Sequence, residues 1–498
     1  MKRLYLGIDL GTSAMKIVLI DEEYHVLSQV REEYHLSVKE DGWYEIDQKY
    51  WFAGMINGIK KVLENQNVNQ LHSIGVTGQM HTLTILDKDG NCIRPAMMWN
   101  DLRTKELIPQ MKEKIAQFQD GEYLSRTIST GSPAANLYWL KKYEPENYKK
   151  IKKFLIGPDY LVYCLTGTYS TDYCEASTSC LYEIKNRKWS EEMRKLLGLS
   201  EDVYPQIFGS AEITGTVKKN IMELTGIPEG VKVLAGTGDN SAMALSTGCL
   251  VMGYPLISLG TSGVLVIPDE QERSSEYGKR ILFSFDNTKY YGLVQGTVQS
   301  NGSTLSWWTK KILGKEDFSY IDQIVDLKKE RSNMTIFYPH MTGEKTIYAD
   351  PLLRGAFIGM SLENDPIDLT YSLLEGMCFG IKELAEKMNL QLTDQKSIKV
   401  VGGGANSRVW MQIMANVLNC PIERMGGMIG AAFGVALLAA FCESCHGDYS
   451  GMADNTITVE ERFEPDKEMV TLCEKKYMIY KRIYSGMKYI MEDEKILA

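Results

Sequence analysis

The sequence predicts an α/β protein built from two related lobes, and two observations carry that prediction. At 498 residues the chain is too long for one ordinary hydrophobic core. The tetrapeptide Leu-Gly-Thr-Ser also occurs once in each half, as Leu10–Ser13 and Leu259–Ser262, each time at the end of an apolar, strand-like run (Leu4-Tyr5-Leu6 and Pro255-Leu256-Ile257). A glycine followed by two hydroxyl residues at a strand end makes an anion-cradling turn, because glycine lets backbone N–H groups approach the anion closely and the hydroxyls add donors. One such turn per half points to a single polyphosphate gripped from two sides. The lobe boundary is placed near Leu250–Tyr254, giving an N-terminal lobe over 1–250 and a C-terminal lobe over 251–498.

The first lobe opens as strand, turn, strand. Leu4–Ile8 is apolar, Gly11-Thr12-Ser13 turns the chain and Lys16–Ile20 returns it, and Asp21-Glu22-Glu23 leads into Val26–Val30. This meander is not the βαβ opening of a Rossmann dinucleotide fold. Asp47–Asn65 reads as an amphipathic helix, with Tyr50, Trp51, Met55, Ile59 and Val62 near helical spacing. Ile74–Thr77 is a short strand with Gln79–His81 at its C-terminal end, and Thr84–Leu86 runs into the Asp87–Gly90 turn. Lys232–Gly238 is a strand ending in glycines, followed by Asp239-Asn240 and a small, apolar helix over Ser241–Leu250. The second lobe repeats strand, Gly-Thr-Ser turn and strand; beyond that opening the echo is not visible residue by residue. Lys399–Val401 ends at Gly402-Gly403-Gly404, Val409–Leu418 reads as a helix, and Gly426–Ala440 as a small-residue helix suited to close packing. The charged tail from Ala453 reads as a surface strand and helix.

Composition narrows the function classes. With 44% hydrophobic and 24% charged residues the chain is globular, and a net charge of -9 argues against a nucleic-acid partner, which calls for a basic face. Asp9 interrupts the only apolar stretch near the N-terminus, so no signal-peptide core fits there, and no window reaches the length of a membrane span. The ten cysteines follow no disulfide framework, which suits a reducing compartment, so the expectation is a cytoplasmic protein with no membrane partner. Cys442-Glu443-Ser444-Cys445-His446 spells a haem-attachment pattern, but that chemistry needs export, and a zinc site needs a second ligand pair; thiols at a helix end are the preferred reading.

Four groups of residues carry chemistry. Asp9, beside the first Gly-Thr-Ser turn, is placed to hold magnesium directly or through water against phosphates; the alternative is a turn-capping aspartate. Asp239, after a strand and glycines at a helix start, is the candidate proton acceptor for a sugar hydroxyl, with a plain helix cap as its rival. Gln79-Met80-His81 and Trp99-Asn100-Asp101 offer donors, acceptors and an apolar platform to a polyol, where the alternative is a core-anchoring Trp and a surface His. Gly402–Ser407 is a glycine-rich strand-to-helix turn that could lie against a nucleoside.

Taken together these residues resemble the FGGY family of carbohydrate kinases, within the actin-like ATPase superfamily, and among them the xylulose-phosphorylating members. The stretches that carry the resemblance are Leu6–Ser13, Gly78–His81, Pro95–Asp101, Ser210–Gly215, Gly236–Asn240, Ser258–Gly263 and the C-terminal signature over Gly355–Glu375, in order over roughly residues 4 to 440. The resemblance implies two RNase H-like lobes with an interlobe cleft, and ATP-dependent phosphorylation of a ketose, D-xylulose first, with ribulose, gluconate or sedoheptulose as alternatives. It implies Asp239 as catalytic base and Asp9 as support for Mg2+. It places Met80, His81, Trp99, Asn100, Asp101 and Asn240 on sugar-facing positions. ATP falls to Gly11, Thr12, Ser13 and Lys16 in the first lobe and to Gly260, Thr261, Gly302, Gly403, Gly404 and Ser407 in the second. The expected partners are the sugar and ATP, with a homodimer left open. Three positions depart from the family pattern: Thr82 replaces the Gly that follows Met-His, Asn136 stands in place of Lys, and Gly343–Ile347 replaces Gly-Glu-Arg-Thr-Pro. A reading from another class, a non-catalytic actin-like ATP-binding protein, has no need of Asp239 or the Met80-His81 and Trp99–Asp101 cluster.

Overall fold

The computed structural model describes residues 3–34, 37–38, 42–119, 121–269, 277–325, 327, 333–344, 346–350, 352–427, 429–444, 449, 453 and 456–491. Cys445, His446 and Lys345 lie outside these. The chain divides into two compact units, the first comprising Met1–Gly248, Arg280–Gly292 and Met428–Thr456, the second Cys249–Lys279, Leu293–Gly427 and Ile457–Ala498. The first break, between Gly248 and Cys249, lies just before the expected Leu250–Tyr254 region, and two later segments, 280–292 and 428–456, return to the first unit. No helix among the described residues is long and apolar enough to cross a membrane.

The first unit is organised by a seven-stranded sheet. Its strands are β1 (Leu4–Leu10), β2 (Ala14–Asp21), β3 (Val26–Glu33), β4 (Leu71–Gly78), β5 (Ile213–Thr216), β6 (Lys232–Leu234) and β7 (Thr237–Gly238), in the order β5-β6-β4-β1-β2-β3, with β7 pairing β4. Strand β1 is buried at every position, as a central strand covered on both faces must be. Strand β3, at the edge, alternates half-buried and exposed residues with the period of two that fixes register. On one face lies the helix Gln48–Leu63, started by Asp47, whose carboxylate accepts from the Lys49 N–H. Trp51, Met55, Ile59 and Val62 form its buried stripe, whereas Tyr50, one residue out of phase, is 48% exposed.

The helix Ala431–Ser444 explains why the chain returns to this unit. Its residues pack on β1 and β4 so closely that a Cβ added to Gly7 would lie 1.9 Å from the Ala432 carbonyl, and one added to Gly75 2.2 Å from the Val435 carbonyl. The small-residue pattern of the helix thus serves backbone-to-backbone packing against glycine strands. A smaller five-stranded sheet (Ser37–Val38, Tyr44–Ile46, Ala96–Met97, Leu83–Leu86, Lys153–Ile156) carries the Trp99 segment just past its third strand.

The second unit repeats the plan. Strands β8 (Leu256–Leu259), β9 (Gly263–Asp269), β10 (Tyr290–Val298), β11 (Ile398–Val401), β12 (Ile422–Gly426) and β13 (Thr458–Phe463) lie in the order β10-β9-β8-β11-β12-β13, and the strand Lys279–Ser284 pairs β10 at the edge to make the sheet seven-stranded. In both units the opening strand has an antiparallel hairpin partner on one side and two successive parallel strands on the other: β1 with β2, β4 and β6, and β8 with β9, β11 and β12. Each sheet ends in an antiparallel strand, β5 or β13. The duplication expected from one tetrapeptide is therefore present in topology, as the two-lobed α/β fold requires.

Because the Gly75 contact is with backbone, no side-chain rotation can relieve an added methyl there. Gly75→Ala is expected to destabilise the protein by about 3 kcal/mol or prevent folding, measured by urea or thermal unfolding. Gly403→Ala, where nothing lies within 4 Å of the added carbon, is expected to stay within about 1 kcal/mol of the parent.

Candidate active site

Strand register assembles the first unit's site. Asp9 of β1 is the partner of Thr77 in β4, and Thr77 is the partner of Thr237 in β7; one step on, Leu10, Gly78 and Gly238 are level. All three strands are parallel and stop together, which is where ligands of open α/β sheets bind. Gly238 caps the helix Asp239–Thr247, so Asp239 is the first helical residue and sits just beyond the row that holds Asp9.

The two carboxylates share one corner, Asp9 buried and Asp239 half-buried. Burial pushes Asp9 up to about 6, against the pull of Lys16, its partner across β1 and β2. Burial likewise pushes half-buried Asp239 up to about 7, and the charge of Asp9 adds to the shift, while N–H groups at its own helix start oppose it. Among the described residues neither carboxylate has an Arg or Lys partner at ion-pair distance. Lys16 itself is exposed on β2.

The phosphate turn is more constrained than its sequence suggests. The Gly11 N–H closes the hairpin onto the Asp9 and Ala14 carbonyls at 3.2 and 3.1 Å, and the Gly11 carbonyl accepts from the hydroxyl of Tyr34, a residue the sequence reading missed. Anion-facing donors are thereby left to Thr12 and Ser13. The Thr12 hydroxyl accepts from the Trp99 indole N–H at 3.1 Å and keeps its own proton to donate.

On the sugar side, Asn240 Nδ2 lies 3.3 Å from the Met80 sulfur, which ties the residue after Asp239 to the residue before His81. His81 has a backbone φ of 69°, the left-handed region that non-glycine residues seldom occupy. Its N–H donates to Glu175 at 3.4 Å. The Trp99 ring is 46% exposed, and the Asn100 Oδ1 is buried without a hydrogen-bond partner among the described residues. Thr82, the departure from the family pattern, is 0% exposed, and its Oγ1 accepts from the Trp99 N–H at 3.3 Å, so it holds the Trp99 backbone. Asn136 and Ile347 are likewise buried.

Asp101 is bonded within the protein through both oxygens. It is 0% exposed, and both oxygens are engaged: Oδ1 accepts from the N–H and Nε of Arg103, and Oδ2 from Arg103 Nη2 and the Tyr44 N–H, at 2.7–2.9 Å. The Arg103 guanidinium is in turn 2.8 Å from Glu45 and stacks 4.2 Å from the Trp43 ring centre. Local sequence does not reveal these bonds, because one partner is another strand's backbone and the other is a charge two residues away. Asp101 anchors the Trp99-Asn100 segment.

The second unit's residues gather at the matching strand end. The Gly302 N–H donates to the Gly260 carbonyl at 3.1 Å and the Ser303 N–H to that of Thr261 at 3.0 Å. A Cβ on Gly302 would lie 2.2 Å from the Gly260 oxygen, so glycine is required for this approach. As in the first unit, the glycine N–H of the turn closes its own hairpin, here onto Ser262 at 3.1 Å. Gly402, with φ of 95°, abuts the end of β8 at Leu259, while Gly403 is open and Gly404 packs on Trp410 and Leu259. Ser407 departs from expectation: it caps the helix Arg408–Leu418 by accepting from the Trp410 N–H, and its hydroxyl donates to Asp322, which also accepts from the N–H groups of Arg408 and Val409 at 3.1 and 3.3 Å. Asp322, 85 residues earlier, gave no signal in the sequence.

Comparison with known proteins agrees with this architecture. The family model for the FGGY family of carbohydrate kinases, N-terminal domain, matches residues 4–246, and that for the C-terminal domain matches residues 256–442. A curated xylulose kinase of Staphylococcus epidermidis is 31% identical over 497 residues, covering 99% of this chain and 98% of that one. Among solved structures, the xylulose kinase of Rhodospirillum rubrum aligns with a TM-score of 0.89 at 22% identity over 98% of this chain and 100% of that one. The gluconate kinase of Lactobacillus acidophilus aligns with a TM-score of 0.88, also at 22% identity, over 98% of each chain. With both of its domain models matched in order over nearly the whole chain, the protein belongs to the FGGY family of carbohydrate kinases and is a sugar kinase.

Proposed function

We propose that the chain transfers the γ-phosphoryl group of ATP to the terminal hydroxyl of a ketose, D-xylulose first, with Asp239 as the proton acceptor. The observation that supports this most is the Asp9–Asp239 pair at the level ends of β1, β4 and β7, joined to Met80 through Asn240. A carboxylate pushed up to about 7 matches the task of a general base near neutral pH. As the sugar oxygen attacks phosphorus, its proton passes to Asp239, the bond to the bridging oxygen breaks, and ADP leaves.

Asp9 fits a magnesium role. It is a buried carboxylate beside the phosphate turn, without a cationic partner at ion-pair distance among the described residues, and its raised pKa marks a site that a cation would relieve. Magnesium held there, directly or through water, would neutralise phosphate charge. Thr12, Ser13 and Lys16 are the proposed ATP contacts of the first unit, and Gly260, Thr261, Gly302 and Gly403 those of the second. Met80, His81, Trp99, Asn100 and Asn240 are the proposed sugar contacts. The alternative acceptor is an aldonate such as gluconate, supported by the likeness to the gluconate kinase fold; the exposed Lys16 is a cation that its carboxylate could meet. A panel of ketopentoses, polyols and aldonates, assayed for sugar-dependent ADP release, separates the two: strongest release with D-xylulose supports the ketose reading, and strongest release with gluconate overturns it.

Two further outcomes follow from Asp239. Asp239→Asn is expected to lower kcat by about 10²–10⁴-fold with nucleotide affinity changed little, as measured by ADP release and nucleotide titration; near-normal turnover would remove Asp239 from its role. The second concerns stability. A carboxyl whose folded pKa lies above its unfolded value makes the native state less stable as pH rises between the two, here from about 4 to about 7. Asp239→Asn should therefore raise Tm at pH 8 and leave it nearly unchanged at pH 4, in thermal melts at the two pH values.

A further inference from the structure

Behind His81 lies a carboxyl that the proposed chemistry does not use. Glu175, in the short helix Tyr173–Thr178, is 0% exposed. Its Oε2 accepts from the His81 N–H at 3.4 Å. Its Oε1 faces two glycines: an added Cβ on Gly238 would lie 3.0 Å from it, and one on Gly157 3.3 Å. That oxygen has no hydrogen-bond partner among the described residues. One side chain therefore touches both the residue that caps the Asp239 helix and the left-handed His81.

We propose that Glu175 is a positioning residue for phosphoryl transfer, bracing His81 and the Gly238–Asp239 corner in one geometry so that the sugar hydroxyl meets the base. The proposal rests on the reading of His81 as a sugar contact and Asp239 as base. Three observations support it. A non-glycine residue at positive φ persists only where its surroundings over-determine it, and the Glu175 contact is one of the ties on His81. The space around Oε1 is made by residues without side chains, so the carboxyl can approach both backbones. The groups that face it are acids or a thiol, namely Asp159, Asp172, Asp239 and Cys174, and no Lys or Arg stands at ion-pair distance among the described residues; burial and these like charges hold it protonated, as a neutral brace. A buried carboxyl without a cation does not favour stability, and an apolar side chain of similar size would pack there at least as well.

That last point separates positioning from mere structural support. Glu175→Gln keeps shape, neutrality and an acceptor for the His81 N–H; kcat and sugar KM are expected to stay within about threefold of the parent. Glu175→Leu keeps volume but loses the acceptor. It is expected to raise sugar KM or lower kcat by about tenfold or more, with the KM for ATP within about twofold and Tm equal or higher. If the Leu variant fails to fold, Glu175→Met, unbranched and of similar length, takes its place with the same readouts. Parental kcat and sugar KM in the apolar variant would overturn the proposal, as would a Gln variant that falls as far as the apolar one. Both variants are read on whichever sugar the parent phosphorylates best. Failure of the underlying reading shows elsewhere, as undiminished turnover in Asp239→Asn.

Discussion

Parallel pairing of β1, β4 and β7 in one register is the constraint on which the first unit's site depends. It sets Asp9, Thr77 and Thr237 in a row and ends the three strands at one level. The chain can then leave β4 into Met80-His81 and leave β7 into Asp239-Asn240 side by side. Closing that corner needs the helix Ala431–Ser444 against β1 and β4, and the helix reaches them only because Gly7 and Gly75 carry no Cβ. Sequence distance is irrelevant to this arrangement; a segment more than 400 residues after Gly7 completes the floor of its site.

Placing a buried and a half-buried carboxylate at one strand-end corner, without a Lys or Arg at ion-pair distance among the described residues, sets their chemistry. Desolvation raises both, and the charge of Asp9 makes Asp239 harder still to ionise, which brings Asp239 up to about 7. A surface aspartate would be ionised there too, but it would be too weak a base to share a proton usefully in the transition state. Lys16 moderates Asp9 without neutralising it, and the same combination of exposed cation and buried anion suits a phosphate-rich ligand.

Much of this was legible in the sequence. The strand-turn-strand openings, Asp9 beside its turn, Asp239 after its glycines and the small-residue helix all follow from local patterning, because each depends on residues within a few positions of one another. What was illegible depends on partners brought from afar or on backbone conformation. Asp101 looks like a ligand group until Arg103 and the Tyr44 N–H occupy it. Ser407 looks free until Asp322 reaches the same helix start. The bond from the Trp99 N–H to Thr82 joins residues 17 apart, which no local pattern marks. The positive φ of His81 leaves no trace in its residue type. The Gly-Thr-Ser turns were read correctly as turns, but each glycine N–H closes its own hairpin, which shifts the anion donors to the following two residues.

The charge of Asp9 and partial burial together hold the Asp239 carboxyl above its ordinary range. Infrared difference titration, comparing the parent with Asp239→Asn and Asp9→Asn, reads the protonated carboxyl of Asp239 directly. The account predicts an Asp239 carboxyl band that titrates near pH 7 in the parent, is absent in Asp239→Asn, and moves to lower pH in Asp9→Asn. A band that titrates near the ordinary carboxylate value of about 4, or one that is unmoved when Asp9 is neutralised, would contradict it.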